Sequence, residues 1–313
     1  MSLSFIDDIR EYYYEHLEKL ETSKQFHFAS RLSAWNGDPR AYDTLRRTQS
    51  YLLKAETSSE QISTIGKLLN KEQSGRRNAH ELRLPFFEKY PDLYGLELAI
   101  FRVRHLKYIY NIDIRNDLFA LYPKEKINTL KDTIINDKEA VKYLSTFAIN
   151  FCYLTDIVLN DTRPSFDIEQ IYTIGLTYDT NITEEVQLLL YLYTHCIIAE
   201  TNFYVDPLPV THRSTYLKMI EKAEDVIREK FDLITLDNKL EFLVAARICN
   251  YESALAEAIY AECKRSISHE GMFIVDKHNK NIRPERQKFE KSEHRNVLLI
   301  MSNSPYSPHK IAV

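Results

Sequence analysis

A chain of 313 residues is long enough for one large domain or two small ones, and at that size a core needs no disulfide or metal to hold it. The content of 44% hydrophobic, 12% aromatic and 27% charged residues is globular rather than disordered. A formal net charge of −4, from 41 basic and 45 acidic residues, leaves no basic excess to neutralise a nucleic acid backbone.

No window approaches the roughly 18 consecutive apolar residues of a membrane span, and the start MSLSFIDDIREYYYEHLEKL lacks the basic-then-apolar pattern of a signal peptide. The expectation is a cytoplasmic protein with neither nucleic acid nor membrane as a partner.

The first helix is written in Phe5, Ile9, Tyr12, Tyr13, Leu17 and Leu20, three or four apart with acidic residues between them. A second carries Phe26, Ala29, Leu32 and Trp35 and should stop at Asn36-Gly37-Asp38-Pro39, four residues of turn chemistry. Within it, Arg31 is expected to cap the helix or to pair with a carboxylate. A third helix should span about 40–55. Residues 73–91, with Gly75, Pro85 and Pro91, predict loop and short helix, and the polar cluster Arg76, Arg77, His80 and Glu81 predicts a solvated loop or an anion contact.

Beyond Pro91 the pattern alternates. Strongly apolar runs at 93–110, 141–159, 184–203, 237–249 and 294–302 predict helices covered on both sides, and amphipathic stretches near 124–136, 166–176, 214–231 and 252–267 predict an outer layer. Residues 267–293 read as a long connection with a short strand pair at 272–275 and near Ile282, and 304–313, with Pro305 and Pro308, as a loose end.

The apolar runs end in similar words: Tyr110-Asn111-Ile112, Thr155-Asp156-Ile157, Thr201-Asn202-Phe203, Cys249-Asn250-Tyr251 and Ser302-Asn303-Ser304. Their centres lie 45, 46, 48 and 53 residues apart, the length of two helices and two turns. The predicted fold class is therefore all-α, built of α/α hairpin repeats of about 45 residues in a toroid or solenoid. Residues 91–303 would form the repeat domain, with 1–90 a helical segment continuous with it.

Alternation at this period, in runs such as TEEVQLLLYLYTHCIIAETNFY and SEHRNVLLIM, resembles the α/α toroids of terpenoid cyclases, protein prenyltransferases and lanthionine cyclases. YLYTHCIIAETNF and LDNKLEFLVAARICNY are most similar to bacterial toroid-like proteins without an assigned reaction. The resemblance implies a fold and no reaction. The chain has no DxDD or DDxxD, its single tryptophan, Trp35, cannot make repeated glutamine-tryptophan motifs, and His269-Glu270-Gly271 lacks the cysteine of a Cys-His-Gly zinc word.

Cys152, Cys196, Cys249 and Cys263 form no CxxC pair and predict reduced core residues. None of the six glycines is close enough to another to make a nucleotide phosphate cradle.

His195 stands in the middle of an apolar run, where an unpartnered imidazole loses about 1 to 3 kcal/mol to desolvation. Two readings follow: a core histidine satisfied by Asn202 or a neighbouring helix, or a general base facing a central cavity. Asp156, Arg247 and His294 occupy corresponding runs, so a toroid would bring all four to one cavity, with Asp156 and Arg247 paired with each other or with other charged groups.

On the cavity reading His195, Asp156 and Arg247 are catalytic, and His294, Asn202 and Thr194 contact a small organic substrate or a peptide, with no metal or cofactor. The alternative is an open helical scaffold that binds another protein through its 21 tyrosines.

Overall fold

The protein is described by a computed structural model covering residues 4–53, 58–71, 80–268, 272–275 and 288–310. The described residues are all-helical. α1 (Ser4–His16) buries Ile6, Ile9 and Tyr13 on one face. α2 (Thr22–Asn36) ends at Gly37, whose left-handed φ of 70° suits a residue without Cβ and whose N–H closes onto Ser33 O. Asp38 then caps α3 (Pro39–Leu52) through the Arg40 N–H, with Pro39 in the first turn where its missing N–H costs nothing. The turn read from Asn36 to Pro39 is therefore present.

α4 (Ser58–Leu69) follows, and α5 (His80–Lys89), ten residues containing Pro85, is the short helix expected there, while 72–79 lie outside the described residues. Arg76 and Arg77 lie outside the described residues.

The strongly apolar runs become α6 (Leu93–Tyr110), α10 (Thr146–Leu154), α12 (Thr183–Glu200), α14 (Leu236–Ile248) and α16 (Phe289–Asn303). They are covered on nearly all sides: every residue of α10 from Ala148 to Leu154 is buried, as is every residue of α14 from Asn238 to Ala246. α10 continues into a π-helical turn, Thr155–Leu159. The shorter or amphipathic segments are α7 (Arg115–Leu121), α8 (Lys124–Asn136), α9 (Lys138–Leu144), α11 (Ile168–Gly175), α13 (Arg213–Glu229) and α15 (Ala256–Arg265).

α10 packs between α6 and α12, and α14 between α12 and α16; α16 in turn reaches α1 and α2. α8 covers α10, α13 covers α12 and α14, and α15 covers α14. Among the described residues no helix is long and apolar enough to cross a membrane, and all four cysteines are free and buried.

Asn111, Asn202 and Asn250 end their helices in the left-handed conformation, with φ of 54°, 49° and 51°, the helix-end role their recurrence suggested. Asp156 and Asn303 do not share it. Asp156 lies inside the π turn, with Asp161 the left-handed residue after it, and Asn303 is still helical. Of the expected strand pair, 272–275 makes one antiparallel bridge, Ile274 with Ile267, and the other half, near Ile282, lies outside the described residues.

Residues 304–310 are docked rather than loose. Ser307 N–H and His309 N–H donate to Trp35 O and Ala34 O, both at 3.0 Å, and Tyr306 OH donates to Asp206 O at 2.6 Å. The carbonyls at the end of α2 have no partner within the helix, and the extended tail supplies one.

Two glycines on α4 and α6 give a paired prediction. A Cβ on Gly95 would sit 2.3 Å from the Leu69 carbonyl oxygen, whereas one on Gly66 meets only Leu121 Cδ1, at 3.9 Å. Gly95→Ala should cost about 1 to 3 kcal/mol, the scale of overpacking, and Gly66→Ala should gain up to about 1 kcal/mol from helix propensity. Thermal unfolding of the two variants checks both signs.

Candidate ligand-binding site

A cavity of ≈ 630 Å³ lies among α2, α4, α6, α10, α12 and α14, within the size range of small-molecule sites. Helical spacing builds its walls. Phe26, His27, Ser30 and Arg31 share one face of α2, and Leu98, Phe101, Arg102 and His105 share one face of α6. The floor is polar, with Asn150 from α10, His195 from α12 and Glu241 from α14. Across the wall, Phe26 meets His105 edge-on, with ring centroids 5.0 Å apart.

Behind α12 the chain takes three successive left-handed residues, Asn202, Phe203 and Tyr204, unusual for side chains of that size. Arg104 holds this stretch from α6, donating to the Asn202 side chain and to the carbonyls of Asn202 and Phe203. The clamp brings Phe203 and Tyr204 to the cavity wall.

A line of hydrogen bonds fixes the floor. Asn150 Nδ2 donates to Glu97 Oε1 at 3.1 Å, which leaves Asn150 Oδ1, 3.1 Å from His195 Nδ1, to accept from that ring nitrogen. Assigned from this network, the His195 proton sits on Nδ1, and the lone pair of Nε2 faces Glu241 Oε1 at 4.0 Å. The same oxygen lies 3.6 Å from His294 Nε2, while Glu241 Oε2 is buried without a hydrogen-bond partner. His294 Nδ1 is 3.3 Å from Asp237 Oδ1, and Arg295 donates to Asp237 Oδ2. On the α2 side, His27 Nδ1 is 2.7 Å from Glu293 Oε1, and Lys24 is 3.4 Å from Glu293 Oε2.

Desolvation sets these groups apart. Burial, reinforced by the charge of Arg31, pushes His195 down to about 3, so that it is neutral at pH 7. Burial pushes the Glu241 carboxyl up to about 7, with His294 and Arg31 opposing and Asp237 adding. Burial likewise raises Glu97 to about 8 against its bond from Asn150. Desolvation also works on Asp237, but Arg295 and His294 outweigh it and hold that carboxylate ionised. At Glu293 burial is outweighed by the contact with His27 and by Lys24 and Arg31, which hold that carboxyl low, while burial and Arg31 push His27 itself down to about 4. The carboxyl that titrates near neutrality can give or take a proton at pH 7, whereas the imidazole beside it stays neutral and is only a weak base.

Of the residues singled out from sequence, His195 reaches the cavity, and His294 stands just behind Glu241. Asn202 is a structural partner of Arg104, and the Thr194 hydroxyl bonds back to Leu190 O within α12. Asp156 and Arg247 neither line the cavity nor pair with each other. Asp156 is buried against Lys131 at 2.7 Å, with Ser165 donating through its N–H and hydroxyl. Arg247 is exposed and donates to Ser302 O.

Arg31 also differs from expectation, because no carboxylate among the described residues lies within ion-pair distance of it and its Nε is buried without a partner. Sequence reasoning passed over Glu241, Glu97 and Asn150. A glutamate in the apolar run LDNKLEFLVAAR is as anomalous as His195 in its own run, and that signal was present. Among the described residues no group of three or more His, Cys, Asp or Glu side chains is placed to hold a metal ion.

Compared with protein-family models, curated proteins and solved structures, the chain matches none.

The Glu241 shift predicts a pH-dependent stability. A carboxyl raised from 4.5 to about 7 binds its proton more tightly folded than unfolded, so the stability it lends is complete below about pH 4.5 and is lost as pH rises through 7. The full shift corresponds to about 3 kcal/mol. Glu241→Gln should therefore gain stability on wild type by up to that amount as pH rises from 5 to 8.5, read from urea unfolding at each pH; a difference that does not change with pH contradicts the assignment.

Proposed function

We propose that the helices close into an α/α ring and that the protein binds a small organic molecule or peptide segment in the enclosed cavity. Glu241 gives or takes the proton there, and His195, kept neutral by burial, holds the substrate through its Nε2 lone pair. The observation that carries this reading is the floor of the cavity, where a neutral imidazole with its Nε2 lone pair directed at Glu241 adjoins a buried carboxyl oxygen that no protein group satisfies. The ring is supported by the order of contacts α2, α16, α14, α12, α10, α6 and by the meeting of Phe26 with His105 between its ends. Four unpaired buried cysteines fit a reducing compartment such as the cytoplasm.

A protein-binding scaffold would display aromatic residues, yet none of the 21 tyrosines is exposed. The exposed large apolar side chains among the described residues, such as Leu84, Leu176, Val210 and Leu233, are on separate elements. These features favour the cavity over the scaffold.

Thermal melting against a panel of small organic acids, amines, amides and short peptides tests the proposal. At least one class should raise the melting temperature in proportion to the logarithm of its concentration above Kd. His195→Gln and Glu241→Gln should reduce that rise, while Asp156→Asn, remote from the cavity, should lower the unliganded melting temperature and leave the rise intact. If no class stabilises the protein and His195→Gln only melts earlier, His195 is a core residue and the scaffold reading takes its place.

A further inference from the structure

Among the described residues, the charged side chains that line the cavity are Arg31, Lys71, Arg102, Arg104 and Glu241. One carboxyl faces four cations, and burial leaves that carboxyl largely protonated up to neutrality. Carboxylates close behind the wall do not redress the balance, because Glu293 is taken by His27 and Lys24 and Asp237 by Arg295 and His294.

The cations differ in how far they are already used. Arg104 spends its guanidinium on Asn202 and Phe203. Lys71 is exposed at the mouth, and Arg102, buried with its Nε unpartnered, leans on Gln61 at 3.4 Å. Arg31 differs from Arg102 in its neighbours: half-buried in mid-helix, beside the Tyr204 phenol, it is felt electrostatically by His27, His105, His195, Glu241 and Glu293 together. No carboxylate among the described residues lies within ion-pair distance of it, its Nε is buried without a partner, and its planar fork matches a carboxylate.

The rest of the wall is apolar. Phe26, Leu68, Leu98, Phe101, Ile198 and Phe203 offer a surface suited to a hydrocarbon or aromatic body. Around Arg31 the wall is made of helix flanks and of the stretch Asn202–Tyr204, whose N–H groups are spent on Ala199 O, Ile198 O and Thr201 Oγ1, so the amide cradle that phosphates favour is missing there.

We propose that the ligand is an amphipathic organic acid, its single carboxylate on Arg31 and its apolar body along α6 and Phe203. This rests on the cavity being a ligand site, and it adds to that reading the chemical class of the occupant. The acid group then sits beside His195 and Glu241, which places any reacting carbon close to the carboxylate and leaves the apolar body as the part that is recognised.

Calorimetric titration with four probes that share a ten-carbon chain, decanoate, decanamide, decylamine and decyl phosphate, separates the possibilities. Decanoate should bind at least tenfold more tightly than decanamide, and decylamine should be the weakest. Arg31→Gln should bring decanoate down to the affinity of decanamide, while Arg31→Lys should keep part of the difference. Should Arg31→Gln fail to fold, the ratio of decanoate to decanamide on wild type and on Arg31→Lys still decides. Equal binding of decanoate and decanamide, or decanoate binding untouched by Arg31→Gln, overturns the acid while leaving the cavity as a site for neutral ligands. Decyl phosphate binding tenfold more tightly than decanoate overturns the carboxylate. Binding by none of the four overturns the inference and the ligand-site reading together.

Discussion

Desolvation of ionisable groups at the centre of the helical array is the constraint on which the other features depend. α2, α6, α12, α14 and α16 each send such groups inward, and a charge removed from water is tolerable only with a partner close by. Asp237 finds Arg295, and Glu293 finds His27 and Lys24. Among the described residues Glu241 finds two imidazole nitrogens no closer than 3.6 Å and keeps one oxygen unpaired, while Arg31 finds no carboxylate. Both line the cavity, Arg31 from α2 and Glu241 from α14.

Elsewhere several buried charges are resolved pairwise, and the pairs follow a pattern. Lys131 of α8 meets Asp156 at the end of α10, Lys142 of α9 meets Glu185 of α12, and Lys239 of α14 meets Glu262 of α15. Each joins a helix covered on all sides to a neighbour outside it. Such pairs add little net stability over well-packed apolar residues, but losing one partner is expensive, so they fix which helix lies against which and in what register. Asp156 belongs to this set, which accounts for its burial without a place in the cavity.

Much of the helical order is legible in the sequence because apolar spacing and turn residues act locally. The Asn36 to Pro39 turn and the asparagine caps at 111, 202 and 250 depend on a few consecutive residues, and the covered and one-faced helices announce themselves by composition. What spacing cannot give is rotation. The π turn at 155–159 adds a residue to its turn and carries Asp156 to the α8 side. Arg247 falls on the exposed side of the last turn of α14, where a carbonyl of α16 is within reach. The docking of 304–310 onto α2 joins segments hundreds of residues apart and leaves no local trace.

At the site, an imidazole in an apolar run is legible as an anomaly, and its role is not. That role comes from Asn150 and Glu97, on two other helices, which direct the His195 lone pair. The most direct test follows the protonation of the floor itself by NMR, recording the Glu241 carboxyl carbon and the long-range proton–nitrogen correlations of the His195 ring between pH 4 and 9. The account predicts that Glu241 titrates near 7 while His195 keeps a single proton, on Nδ1, over that range. Titration of Glu241 in the usual carboxylate range, or a second proton on His195 near 6.5, would contradict it.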